Sequence, residues 1–172
     1  MLAAALACVA AWAAASSGSR ASAGALPAQK ERKGAAIMHA RGEFEVQLTP
    51  AGTEDKAEGS TLGRMSIQKQ YHGDLEGSAR GEMLTAGTAV KGSAVYVAVE
   101  RVTGVLGGRR GSFVLHHRGI MTRGQPKLEI SVVPDSGTGE LAGISGTLTV
   151  EITGGKHFYD LEYALAQGPG AE

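Results

Sequence analysis

Hydrophobic and polar residues alternate along most of the chain after residue 42. Between Glu43 and Thr49 the apolar side chains fall at Phe44, Val46 and Leu48, with polar residues between them. Because successive side chains of a β-strand point to opposite faces, this period of two predicts a strand with one buried and one solvated face. Related patterns cover residues 63–73, 75–84, 112–121, 128–133, 146–152 and 156–165.

Two segments depart from simple alternation. In residues 63–73 the apolar positions are Met65, Ile67 and Tyr71, and Lys69 interrupts the series. Residues 93–103 are apolar at almost every position as far as Val99, which predicts a strand buried on both faces. A second subunit could cover one of these faces, so we expect a homo-oligomer.

Turn signals separate these segments at intervals of about ten residues. The chain contains 26 glycines in 172 residues, about twice the usual share. The glycine-rich pieces 107–111, 137–139 and 154–156 predict hairpin turns, whereas residues 51–61 predict a loop. No segment after residue 42 has the apolar spacing of an amphipathic helix. The pattern predicts eight or nine strands and an all-β fold, and a barrel is favoured over a sandwich because closure removes exposed strand edges.

The first residues differ in composition from the rest. Residues 1–15 are almost entirely apolar, and Ala21-Ser22-Ala23 has the small-residue pattern of a cleavage site. This predicts a signal-peptide-like segment at 1–23, cleaved after Ala23, then a flexible leader at 24–37, a barrel domain at 38–166 and a disordered tail at 167–172. The mature protein would be periplasmic or secreted. No basic residue precedes Arg20, so the alternative is a cytoplasmic protein that starts at Met38.

Charge and cysteine content exclude several classes of function. The chain has 17 basic and 17 acidic residues, and from residue 38 onward the counts are 13 and 16. This balance predicts no nucleic-acid partner and, after processing, no membrane partner. The single cysteine, Cys8, lies in the apolar leader, so the barrel domain has neither a disulfide nor a thiol for catalysis.

Five segments, in this order and spacing, resemble a bacterial family of domains of unknown function, DUF3224. They are MHARGEFEV at 38–46, GDLEG at 73–77, GSFVLHH at 111–117, GTGELAGISG at 137–146 and GKHFY at 155–159. Members of this family look like small barrels of the allene oxide cyclase type. The resemblance therefore implies an eight-stranded antiparallel β-barrel with a lumen. It implies no activity, because a fold hosts many functions.

Glu100 is the acidic residue that most suggests function. It follows six uncharged residues in the segment that is expected to be buried, and it shares a face with Tyr96. Burial disfavours an ionised carboxylate and raises its pKa, and such groups often occur at functional sites. The structural alternative is an ion pair at the barrel mouth, for example with Arg118.

Two further strand faces would give the lumen its chemistry. Phe113, Leu115 and His117 share one face, and His157 and Tyr159 share another. If these faces line the lumen, the pocket is apolar with a few hydroxyls and an imidazole, which suits a small hydrophobic or amphipathic ligand. The predicted ligand-binding residues are Tyr96, Glu100, Phe113, His117, His157 and Tyr159. The alternative is a lumen filled by its own side chains.

The histidine pattern does not indicate a metal site. His116 and His117 are adjacent, so they point to opposite faces of a strand. A site would have to combine His117, His157 and Glu100 across strands, and we expect no metal. No phosphate-binding loop precedes a helix, so no cofactor is expected.

Three hypotheses for function follow. The first is a binding protein that holds a small molecule in the lumen. The second is a cyclase or isomerase in which Glu100 is the acid or base and His117 or Tyr159 orients the substrate; Glu100 and His117 are its candidate catalytic residues. The third is a solid barrel whose surface binds a partner.

Overall fold

A computed structural model describes residues 36–166. In this range the chain forms ten β-strands, and no helix there is long and apolar enough to cross a membrane. The strands are β1 (Met38–Pro50), β2 (Asp55–Ala57), β3 (Ser60–Gly73), β4 (Leu75–Thr88), β5 (Ala94–Leu106), β6 (Arg109–Thr122), β7 (Gln125–Val132), β8 (Thr138–Gly139), β9 (Ile144–Thr153) and β10 (Lys156–Leu165). The predicted signal-peptide-like segment, the leader as far as residue 35 and the tail lie outside the described residues.

Eight of these strands close into an antiparallel barrel. The hydrogen-bonded order is β1-β10-β9-β7-β6-β5-β4-β3, and β3 pairs again with β1. This confirms the predicted eight-stranded barrel. The short strands lie off the circuit: β2 pairs with the first residues of β3, and β8 pairs with β6.

The short strands correct two local predictions. The segment 51–61 is not wholly a loop, because Asp55–Ala57 folds back on the first residues of β3. Residues 137–139 are not a hairpin turn, because Thr138 and Gly139 form the short strand β8, which pairs with β6. Side-chain alternation carries no signal for strands this short.

The glycine pairs at 107–108 and 154–155 do form hairpin turns, as predicted. Gly107 and Gly108 have φ of 55° and 81°, and Gly154 and Gly155 have φ of 61° and 81°. Positive φ at both central residues is the geometry of the two-residue turn that matches the twist of antiparallel strands. The first turn is shorter than predicted, since β6 already begins at Arg109.

One end of the barrel is packed with side chains. The connection between β7 and β9 contributes Leu141, which is buried in the same cluster as Leu75, Leu106 and Phe113. The rest of this cluster consists of apolar and aromatic side chains that point inward from the barrel strands, and it extends along the interior as far as Phe44 and Ile130. A segment outside the barrel circuit therefore helps to fill the packed end of the lumen.

Strand β5 is buried on one face only. Ala98, Glu100 and Val102 point inward and are buried, whereas Val95, Val97 and Val99 are 39%, 50% and 55% exposed. Within one chain, therefore, only the inner face of β5 is buried, and the predicted burial of the outer face would require a second subunit. A single closed sheet has one interior, and no described residue forms a second layer over the outer face of β5.

Candidate ligand-binding site

The lumen contains a cavity of about 90 Å³. Residues from all eight barrel strands line it, and most of them are apolar. Leu48, Met83, Leu128 and Ile152 place it toward the end where the β4–β5, β6–β7 and β9–β10 hairpins turn, opposite the packed end. The polar or ionisable side chains among its lining residues are Lys69, Tyr96, His117 and His157.

Glu100 is buried directly behind two of these lining residues. Its Oε1 accepts hydrogen bonds from Lys69 Nζ at 2.9 Å, from Tyr71 Oη at 3.1 Å and from His117 Nε2 at 3.1 Å. Its Oε2 is buried and has no hydrogen-bond partner among the described residues. Three donors therefore converge on one carboxylate oxygen inside the barrel.

These contacts set the charge of Glu100. Burial alone would raise its pKa, but the Lys69 ammonium and the hydrogen bond from His117 outweigh burial and lower the pKa to about 2. The expectation of a raised pKa is wrong, because Lys69 supplies a buried counter-charge. Arg118 is not the partner of Glu100; its Nη1 lies 3.5 Å from Glu129. Glu100 is thus an ionised acceptor at neutral pH.

His117 is held as a neutral imidazole. Burial lowers its pKa, and the hydrogen bond to Glu100 opposes that shift only in part. An ionised carboxylate can only accept, so Nε2 carries the proton and donates it to Glu100. The lone pair of the neutral ring then belongs to Nδ1, and the His117 side chain lines the cavity. The ring therefore offers an acceptor at the cavity wall.

Lys69 is the residue that sequence reasoning missed. Its side chain is only 8% exposed, and its Nζ lies 4.8 Å from the centre of the Phe44 ring as well as 2.9 Å from Glu100. The signal was present, because Lys69 occupies an inward position between Ile67 and Tyr71. Its partner, Glu100, lies 31 residues away on β5. Alternation within β3 cannot indicate a contact that spans the intervening strand β4.

Tyr96 lines the cavity with its ring folded across the neighbouring strand. Tyr96 is opposite Gly119 on β6, and a methyl group at Gly119 would overlap the ring. Glycine at this position therefore lets the ring lie flat against the sheet. Burial, followed by the charge of Glu100, raises the pKa of Tyr96, so the hydroxyl stays protonated.

The six predicted ligand-binding residues fall into two groups. Tyr96, His117 and His157 line the cavity, and Glu100 holds His117 from behind. Phe113 and Tyr159 belong instead to the packed cluster. Tyr159 Oη accepts the backbone N–H of Leu75 at 3.0 Å and donates to the carbonyl of His72 at 3.3 Å.

Comparison with known proteins places the chain in a family. The sequence profile of a family described as a protein of unknown function, DUF3224, matches residues 40–163. The chain belongs to the DUF3224 family. A crystal structure of a DUF3224 protein of unknown function from Shewanella oneidensis MR-1 is 48% identical, with a TM-score of 0.74, and the match covers 77% of this chain and 100% of that one. No curated protein shows a significant match. The likeness to allene oxide cyclases stays a prediction.

Metal ligands are not grouped in the described part of this DUF3224 chain. Among residues 36–166 no cluster of three or more His, Cys, Asp or Glu side chains is arranged to hold a metal ion. Glu100 and His117 contact each other, and His157 instead packs its ring 5.0 Å from Phe44.

Proposed function

We propose that this DUF3224 barrel binds a small molecule with an apolar body and one polar group in its lumen. The cavity supports this proposal, because side chains from all eight strands surround it, and apolar residues from five of those strands make up most of its lining. A largely apolar pocket with a few oriented polar groups is the usual form of a small-molecule site.

The volume limits the enclosed part of such a ligand. The cavity measures about 90 Å³, whereas an enclosed cavity that holds benzene measures about 150 Å³. The buried part of the ligand would therefore be a short chain or small ring of a few non-hydrogen atoms. A larger ligand would extend through the open end.

The geometry gives less support to the two alternative functions, a solid barrel that binds a partner at its surface and a cyclase or isomerase that uses Glu100. A solid barrel fits the end that Leu141 helps to fill, but the opposite end keeps its cavity. An acid–base role for Glu100 would require its carboxyl group to exchange a proton near neutral pH. Lys69, Tyr71 and His117 all donate to Glu100 and hold it ionised, so we favour binding.

The test compares a variant that fills the lumen with a matched variant outside it. Val150 lines the cavity, and Val97 is exposed on the outer face of β5. We expect Val150→Trp to abolish binding of 1-hexanol, measured by isothermal titration calorimetry on the full chain, and Val97→Trp to leave it unchanged. Native mass spectrometry of the untreated protein checks for a retained ligand. If 1-hexanol does not bind, or binds equally to both variants, the proposal is wrong.

A further inference from the structure

We propose that the lumen favours ligands whose polar group is uncharged, such as an alcohol or a ketone, because Glu100 is a built-in counter-ion for Lys69. This inference rests on the proposed function, since it names the chemical class of the ligand. It concerns the contact between Lys69 Nζ and Glu100 Oε1, at 2.9 Å with both side chains buried.

Without Glu100, Lys69 would make the cavity an anion-binding site. It is the one Lys or Arg among the described residues that line the cavity, and no Asp or Glu lines it. A buried ammonium in an apolar pocket would attract a carboxylate strongly, since the charges are poorly screened there. Glu100, which lies behind the cavity wall, already supplies the carboxylate that neutralises the Lys69 ammonium. The pair leaves the pocket with no net charge for a ligand to neutralise.

The remaining hydrogen-bonding capacity matches a hydroxyl group. Lys69 has three N–H donors. Among the described residues it donates to Glu100, and its Nζ also lies over the Phe44 and Tyr71 rings, which are weaker acceptors that a ligand oxygen can replace. His117 offers the lone pair of Nδ1, because its Nε2 donates to Glu100. A ligand hydroxyl can accept from Lys69 and donate to His117. A carbonyl group can accept from Lys69 alone.

Charged ligand groups fit this arrangement poorly. A carboxylate has only acceptors, so it would face the His117 lone pair with the Glu100 charge directly behind. An ammonium would face the Lys69 ammonium. In either case the ligand would lose its hydration without gaining a free opposite charge.

The test uses three probes with the same chain: 1-hexanol, hexanoate and hexylamine. Each is titrated into the full chain near neutral pH by calorimetry. We expect 1-hexanol to bind at least about tenfold more tightly than either ion, equivalent to about 1.4 kcal/mol. If hexanoate or hexylamine binds as tightly as 1-hexanol, this inference is wrong but the proposed function stands. If no probe binds, the proposed function itself fails.

Two variants then test the role of Glu100. Glu100→Gln keeps the shape of the side chain but leaves Lys69 without a counter-ion, so hexanoate should gain about tenfold or more in affinity. The double variant Lys69→Met/Glu100→Gln removes both charges, so that gain should disappear. Circular dichroism checks that each variant is folded. An unchanged ratio of hexanoate to hexanol affinity in a folded Glu100→Gln protein would overturn the inference, and if that variant does not fold, the comparison of probes on the native chain decides it.

Discussion

Glu100 and Lys69 determine the character of the lumen at the scale of single residues. Each is an expensive residue to bury alone, and each is stabilised by the other. The sequence predicted that Glu100 lies in a buried segment and shares a face with Tyr96. It did not predict the charge state, because that depends on Lys69 and His117, which lie on other strands.

The acid stability of the protein should depend on these buried groups. The pKa of His117 is below its usual 6.5 in the folded state, and that of Glu100 falls from 4.5 to about 2. The unfolded chain therefore binds more protons, and the free energy of unfolding should decrease as pH falls below about 6.5 and again from about 4.5 toward 2. Urea unfolding at a series of pH values measures this.

The variant Lys69→Met/Glu100→Gln is the control for the lower pH range. It removes the contribution of Glu100 but keeps carboxylates outside the lumen whose pKa values are also lowered, such as Asp160 beside His39 and Arg41. Its unfolding free energy should decrease less steeply than that of the native protein between about pH 4.5 and 2. If the unfolding free energy of the two proteins decreased equally steeply in this pH range, the assigned charge of Glu100 would be wrong.

The pairing of strands brings Lys69 and Glu100 together, and alternation within each strand predicted only which residues share a face. Lys69 on β3 reaches Glu100 on β5 across β4, which presents the small residues Ala79 and Gly81 at this level. Period two assigns residues to two faces of a strand, but it does not give the register between strands. The strand positions were therefore largely predictable, including the bounds of β10, whereas the pairing of Lys69 with Glu100 was not.

Gly81 on β4 should contribute to the stability of the barrel. It lies opposite Glu100, and a methyl group there would overlap the Val99 carbonyl and the Glu100 backbone. We expect Gly81→Ala to lower the free energy of unfolding by about 1–3 kcal/mol, because the backbone of β4 or β5 must move.

Gly87 provides a matched control on the same strand. The nearest atom to a methyl group at Gly87 is 4.0 Å away, so Gly87→Ala should leave stability unchanged or raise it slightly. Chemical denaturation measures both variants. Equal effects of the two substitutions would show that the close approach of Gly81 to Glu100 is not important.

Residues 36–166 form a barrel that, among these residues, has one packed end and one open end. Its closure and strand number were predictable from turn spacing together with the family resemblance. The division of the lumen was not, because Leu141 reaches the packed cluster from the connection between β7 and β9. Sequence alternation placed Phe113 and His117 on the same face, yet the two lie in different parts of the interior.

The outer surface carries a separate prediction. Leu84, Val95, Val97 and Val99 are exposed on the adjacent strands β4 and β5, and contiguous exposed apolar patches often mark protein interfaces. The predicted homo-oligomer would cover this patch with a second copy of the chain. Sedimentation equilibrium should then show a larger mass for the native protein than for Val97→Lys, and a native protein that stays monomeric at high concentration would refute it.

Methyl NMR spectroscopy during a titration with 1-hexanol tests the central claim most directly, because it distinguishes the lumen from the outer patch in a single experiment. Binding in the lumen should shift the methyl signals of Ile67, Ile130 and Ile152, which line the cavity, and leave those of Val97 and Val99 in place. If the lumen signals stay fixed while 1-hexanol is added, or only the outer valines respond, the lumen is not a ligand-binding site.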